Sequence, residues 1–119
     1  MGIIKLKNIR TFSYHGCLVE ESKIGSNYRI DLEVNTALKK SSITDDLNDT
    51  VDYVLLNKIV EEEMAIHANL LENVAQRIID RIFVESAAVT KIKVAVSKLN
   101  PPIGGDVEAV SIILKAKRK

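Results

Sequence analysis

Tyr28-Arg29-Ile30-Asp31-Leu32-Glu33-Val34-Asn35-Thr36-Ala37-Leu38-Lys39 is the stretch whose reading decides the fold. Tyr28, Ile30, Leu32, Val34, Thr36 and Leu38 share one parity, and Arg29, Asp31, Glu33, Asn35 and Lys39 share the other. That period of two belongs to a strand with one face on a core and one in water. Upstream, Ile3 to Tyr14 is also β-prone, but Ile4 and Leu6 share a parity that Ile9 breaks, so a bulge or change of partner is expected near Asn8. The two segments form a hairpin with a long connection, in which Gly16 to Gly25 reads as a polar loop carrying Glu20, Glu21 and Lys23.

Downstream the period changes. Lys40 to Asp49, rich in Ser, Thr, Asp and Asn, reads as a loop; Leu55, Leu56, Ile59 and Val60 then fall at helical spacing, with Asp49 or Thr50 available as N-cap. After a break at His67 to Asn69, a second helix carries Leu70, Leu71, Val74, Ala75, Ile78, Ile79, Ile82 and Phe83 on one stripe. Beyond Glu85 the period returns to two, with Ile92, Val94 and Val96 alternating with Lys91, Lys93, Ala95 and Ser97, and a last strand runs roughly from Val107 to Ala116. The order is ββααββ, an α+β fold in which a four-stranded antiparallel sheet carries two helices on one face. Such a sheet has two open edges. Closing sheets from several copies into a multi-subunit barrel removes them, so a ring-shaped homo-oligomer is expected.

At 119 residues, with 46% apolar and 28% charged side chains, the chain reads as one domain spanning 1–119. Seventeen basic residues stand against sixteen acidic ones, which argues against nucleic-acid or membrane partners. Lys115-Ala116-Lys117-Arg118-Lys119 reads as a solvated, frayed tail. A single cysteine, Cys17, excludes an internal disulfide and fits a reducing compartment. The apolar blocks of a signal peptide or membrane span are missing, so a cytoplasmic location is expected. No metal is expected, because His15, His67 and Cys17 lack the paired spacing of a zinc site. No cofactor is expected either: Gly104-Gly105 opens a strand, whereas a phosphate loop opens a helix.

Four side chains are candidates for chemistry. Lys98 precedes Asn100-Pro101-Pro102-Ile103, where both of the chain's prolines are spent. The prolines push Asn100 and Pro101 toward extended conformations and stiffen the loop, so Lys98 at its root is well placed for proton transfer. To act as a base it would have to be partly neutral. Glu72, with Asn69 as N-cap, falls at the third helical position. It either closes a capping box or grips a ligand with adjacent N–H donors, such as a 2-amino-pyrimidinone edge. Tyr53 is either a wall residue of the first helix or a phenol that shuttles a proton, and Glu21 is either loop charge or an acid-base group.

Taken together, Tyr14-His15-Gly16, Glu21 four residues before Gly25, Asp46-Leu47-x-Asp49-Thr50-Val51-x-Tyr53, Asn69-Leu70-Leu71-Glu72 and Lys98-x-Asn100-Pro101-Pro102-Ile103 resemble the dihydroneopterin aldolases of folate biosynthesis. The resemblance covers nearly the whole chain, and ββααββ is also the order of that family's tunnelling fold. It implies a lyase that splits 7,8-dihydroneopterin into 6-hydroxymethyl-7,8-dihydropterin and glycolaldehyde by a metal-free retro-aldol reaction, with possible epimerase side activity. It implies a homo-octamer of two stacked tetrameric rings, with pterin sites between neighbouring subunits. By the same resemblance Glu72 and backbone near Leu71 anchor the pterin, joined across the interface by backbone around Val51 and Asp52. Lys98 and Glu21 handle the diol, and Tyr53 assists proton transfer to the cleaved ring intermediate. The alternatives are the related dihydroneopterin triphosphate epimerase and a non-catalytic oligomeric pterin-binding module. Where the family often continues Pro-Gly-His after the isoleucine, this chain has Gly104-Gly105-Asp106.

Overall fold

The computed structural model describes residues 1–119. The deciding alternation becomes strand β2 (Ser26–Thr36), whose even-numbered side chains from Tyr28 to Thr36 are all buried. It pairs antiparallel with β1 (Gly2–Ser13) on one side and β3 (Lys91–Leu99) on the other, and β3 pairs with β4 (Ala109–Lys117), so the sheet order follows the chain order, β1-β2-β3-β4. The phase slip expected near Asn8 is a bulge. Register passes from Leu6 opposite Leu32 to Ile9 opposite Ile30, which leaves Lys7 and Asn8 facing Asp31 alone. Asn8 takes a left-handed backbone, φ 55°, that asparagine tolerates, and its freed N–H donates to the Asp31 carboxylate at 2.8 Å.

Two segments read as loops contain short helices: α1 (Val19–Ile24) and α2 (Lys39–Thr44), the latter followed by a single 3-10 turn over Leu47–Asp49. Runs of six residues carry too little apolar periodicity to stand out from a polar loop. The two long helices are α3 (Tyr53–Met64) and α4 (Leu71–Glu85), both packed on the even-numbered face of the sheet. Their caps differ from expectation. Asp52, not Asp49 or Thr50, caps α3 by accepting the Val54 N–H at 2.9 Å, while Asp49 binds Thr44 and Lys40 instead. Leu70 occupies the N-cap position of α4 and supplies no side-chain bond.

Leu56, Ile59 and Val60 of α3 and Val74, Ile78, Ile79 and Ile82 of α4 meet Ile30, Leu32, Val94 and Val96 of the sheet in one core. A polar clamp ties the helices together beside it. Arg77 donates to the buried Glu63 carboxylate and to the Glu63 and Ile66 carbonyls that end α3, and Arg81 bridges Glu62, Glu63 and Glu85. No helix is long and apolar enough to cross a membrane.

The C-terminal segment is not a frayed tail. Lys115 and Lys117 lie in β4, and the Arg118 guanidinium donates to the carbonyls of Val89 (2.8 Å), Ser86 (2.9 Å) and Phe83 (3.1 Å) with its plane near the Phe83 ring. A cation here satisfies the orphan carbonyls at the C-terminus of α4, where the helix dipole is negative. Arg118→Ala should therefore lower stability by about 1–3 kcal/mol in chemical denaturation, a size set by charge-assisted hydrogen bonds. An unchanged midpoint would return the segment to the status of a solvated tail.

Candidate active site

Lys98 has the parity of Ile92, Val94 and Val96, so it sits on the core face of β3, directly opposite Tyr28 on β2. It is 7% exposed. A lysine in the apolar phase of a strand is a signal already present in the sequence. Its ammonium donates to the His15 carbonyl at 2.9 Å and to Glu21 Oε2 at 2.5 Å, with the Tyr28 ring 5.6 Å away. Tyr28 donates its hydroxyl to the same His15 carbonyl at 3.0 Å. Glu21 comes from α1, and its other oxygen accepts the Leu18 N–H at 3.3 Å. The carboxylate is held at both ends.

The electrostatics follow from this packing. For Lys98, burial pulls the pKa down, but the hydrogen bond to Glu21 and the Tyr28 hydroxyl push it up, and the balance lies above the ordinary lysine value. The same hydrogen bond holds Glu21 below the usual carboxylate range. Burial raises Tyr28. The pair at neutral pH is thus ammonium and carboxylate, a correction to the expectation of a partly neutral Lys98: a close anion outweighs desolvation. A proton acceptor and a proton donor stand in contact, with Glu21 as the acceptor.

His15, which enters the sequence reading as an unsuited metal ligand and as part of Tyr14-His15-Gly16, has a structural role that spacing does not show. Its carbonyl receives Lys98 and Tyr28, and its Nδ1 accepts the Ala68 N–H at 3.1 Å. Gly16 N–H donates to the Ala68 carbonyl, and His67 Nε2 meets the Gly16 carbonyl at 3.2 Å. One short segment therefore pins Lys98 on one side and the approach to α4 on the other. His15 Nε2 is buried without a hydrogen-bond partner, and burial, then the Arg77 cation and His67, lower the imidazole pKa to about 4.

At the start of α4, Glu72 is exposed and makes no hydrogen bond or ion pair, so the capping-box reading fails: the helix begins at Leu71, one register later than an Asn69 cap requires. Its carboxylate is free for a ligand, beside the first-turn amides that have no helical acceptor. Leu71 and the Lys98–Glu21 pair line one hollow of about 210 Å³, walled by Pro101, Pro102, Ile103 and Val110. Asn100 at its rim is not extended as expected. It takes φ 49°, and its N–H still reaches the Glu108 carbonyl at 2.8 Å, because asparagine admits the left-handed turn that lets the chain leave β3 before the prolines.

Val51, Asp52 and Tyr53 lie elsewhere. They line a second hollow of about 430 Å³ with Ile4 of β1. Tyr53 is 64% exposed, and the Asp52 carboxylate is committed to capping α3. The two hollows share no residue. One borders β4 and the other β1, the two outer strands of the sheet.

Two substitutions test this architecture. A Cβ on Gly16 would collide with the Glu21 carboxyl group, and φ 143° there favours glycine. The far end of a flexible side chain is the part that gives way, so Gly16→Ala should cut turnover by at least about tenfold while costing about 1–2 kcal/mol of stability. Turnover near the parent value would mean that the Lys98–Glu21 contact is dispensable. His15 titrates near 4 when folded against 6.5 when free, so the unfolded chain takes up the extra proton first; the stabilisation is whole above pH 6.5 and is lost as pH falls toward 4. His15→Asn, which keeps an acceptor for Ala68, should lose less stability than the parent across that window in denaturation midpoints. Parallel slopes would remove His15 as the source.

Comparison with known proteins agrees with this arrangement. The family model described as FolB, dihydroneopterin aldolase, matches residues 4–115. A dihydroneopterin aldolase of Streptococcus pyogenes serotype M18 is 38% identical over 122 residues, covering 99% of this chain and 100% of the relative. Among solved structures, Escherichia coli dihydroneopterin aldolase in complex with neopterin superposes with a TM-score of 0.89 at 19% identity, covering 98% of this chain and 99% of that one. The enzyme from Burkholderia thailendensis bound to guanine gives 0.78 at 20%, covering 99% and 92%. The structures establish the shared fold, and with a family match over nearly every residue and a full-length relative, the chain belongs to the dihydroneopterin aldolase family.

Proposed function

We propose that this lyase splits 7,8-dihydroneopterin into 6-hydroxymethyl-7,8-dihydropterin and glycolaldehyde at a site shared between subunits, with Lys98 and Glu21 as its acid-base pair. The observation that carries the reading is the contact between the buried Lys98 and the half-buried Glu21, set in the same hollow as Leu71 beside an unpaired Glu72. Neopterin and guanine, the ligands of the two solved relatives, both present a 2-amino-pyrimidinone edge. Glu72 can accept two parallel N–H donors from such an edge, and the Leu71 backbone adds to the grip.

The chemistry balances without an added electron sink. Glu21 takes the proton from the hydroxyl on C2′ while the Lys98 ammonium steadies the developing oxyanion. The C1′–C2′ bond breaks, C2′ becomes the carbonyl of glycolaldehyde, and the released electron pair moves through C6 to N5, which takes a proton. Loss of that proton and protonation of C1′, assisted by Tyr53, give the hydroxymethyl product. The proton taken up by Glu21 is returned in this sequence, so none is consumed. The dihydropterin's own C6=N5 bond accepts the electrons, and the protein's part is binding and proton movement.

Tyr53, Val51 and Asp52 reach this chemistry only from another copy. The two half-sites border opposite edges of the sheet, and closing several sheets through β1 and β4 would bring one chain's Lys98 to the next chain's Tyr53. The family resemblance puts the number of copies at eight, in two tetrameric rings. A reducing, cytoplasmic setting suits the exposed thiol of Cys17.

Incubation with 7,8-dihydroneopterin should yield glycolaldehyde and the hydroxymethyl product by mass spectrometry. Epimer formation alone would favour the triphosphate epimerase, and neither product would favour a pterin-binding module. Lys98→Ala should lose turnover while largely keeping pterin affinity, and Glu72→Ala should lose affinity most. Refolding Lys98→Ala together with Tyr53→Phe, each inactive alone, should restore about one quarter of parental activity, since random mixing leaves that share of interfaces with both groups intact. No recovery in mixed oligomers would place both residues in one subunit's site.

A further inference from the structure

The helix-free face of the sheet carries a charge arrangement that the reaction does not use. Lys91 lies directly opposite Lys117, and Lys93 directly opposite Lys115, so β3 and β4 present a two-by-two grid of lysines. All four are exposed, and none forms an ion pair. Glu33, the one carboxylate across from Lys93 on β2, is bound to Lys5 at 3.1 Å. Formal charge over the chain is nearly balanced, so this is segregation: Glu61, Glu62, Glu63, Glu72 and Glu85 all sit on the helices of the other face.

Like charges set directly opposite each other across strands are unfavourable. Lysines on an outer strand can discourage indiscriminate pairing while leaving a specific closure onto β1 open, which accounts for Lys115 and Lys117. It does not account for Lys91 and Lys93, because β3 has a neighbour on each side. The four side chains, with Glu33 and Asn35 at the rim, surround a shallow hollow of about 420 Å³. Strand spacing sets the grid at about 4.8 Å by about 6.7 Å at the backbone, so several flexible ammonium groups can converge on one short anion.

The geometry points to a second binding site on this face, in which Lys91, Lys93, Lys115 and Lys117 hold a soluble oligophosphate chain. A linear di- or triphosphate places multiple negative charges within the span of the grid, whereas a single carboxylate or orthophosphate would leave most of the repulsion standing. Asn35 offers a neutral donor at one end. Glu33 at the rim sets the limit of the site toward β2. The face lies on the opposite side of the sheet from Lys98, so occupancy and the aldol chemistry are separable.

Isothermal titration calorimetry of the full chain with inorganic triphosphate tests this. Saturable binding is expected at about 50 mM salt, weakening severalfold by about 200 mM as screening and counterion competition increase. Lys93→Gln/Lys115→Gln, both surface changes, should weaken binding by about tenfold or more, while Lys39→Gln/Lys58→Gln, equal in charge but distant, should bind as the parent does. Melting curves confirm that each pair of variants is folded. The proposal is overturned by no saturable binding at low salt, by equal weakening in the control pair, or by a single-stranded oligonucleotide binding more tightly than triphosphate.

Discussion

A buried ammonium organises one end of this molecule. Lys98 lies in the apolar phase of β3, where an unpaired charge would cost several kcal/mol. The surroundings offset that cost with a carbonyl from His15 and a carboxylate from Glu21. Those two partners come from the turn after β1 and from α1, a helix that buries none of its own residues in the core. The lysine therefore orders the polar connection between the first two strands, which apolar packing alone would leave loosely specified. A buried ion pair is seldom the best route to stability, since apolar residues of similar size often serve as well. Its presence at a cleft is better understood as an arrangement for chemistry.

Several backbone features surround that contact. Gly16 leaves room for the Glu21 carboxyl group, and Gly25, at φ 79°, ends α1 where a side chain would strike Phe12 and Tyr14. His15 serves twice, through its carbonyl toward Lys98 and through its ring toward Ala68, so the acid-base pair and the entrance to α4 share one support. Asn100 turns in a left-handed conformation so that β4 can begin while the prolines still wall the hollow. Gly16 and His15 serve the charged pair directly, and Gly25 and Asn100 shape the segments on either side of it.

The division of the site into two hollows gives the open sheet a second meaning. An isolated copy exposes Tyr53 and Val54 at the β1 side and Ile103 at the β4 side, apolar surface that association can remove from water. In the proposed ring, the outer strands that would otherwise be liabilities become the means by which the two halves of the site meet. Function and assembly would then depend on the same edges. The bare face, with its lysines concentrated on β3 and β4, is a separate surface whose charge is masked in the overall composition by carboxylates on the helices.

Much of the fold was legible in the residues because a period of two and a period of 3.6 each report which side of an element is dry. The even-numbered stripe from Tyr28 to Thr36, the stripe of α4 from Leu71 onward and the phase slip at Asn8 all appear where the alternation put them, while Leu70 falls outside the helix and is exposed. The motifs around Glu21, Val51–Tyr53, Leu71–Glu72 and Lys98 pointed to the family through resemblance, but they did not specify contacts. The helices α1 and α2 stayed hidden, being too short for periodicity to mark, and so did the anchoring of Arg118, whose partners are carbonyls at the end of a distant helix. Protonation was also out of reach. Whether Lys98 is an ammonium depends on the balance between burial and a carboxylate 77 positions away in the chain, and only the tertiary structure brings those two groups together.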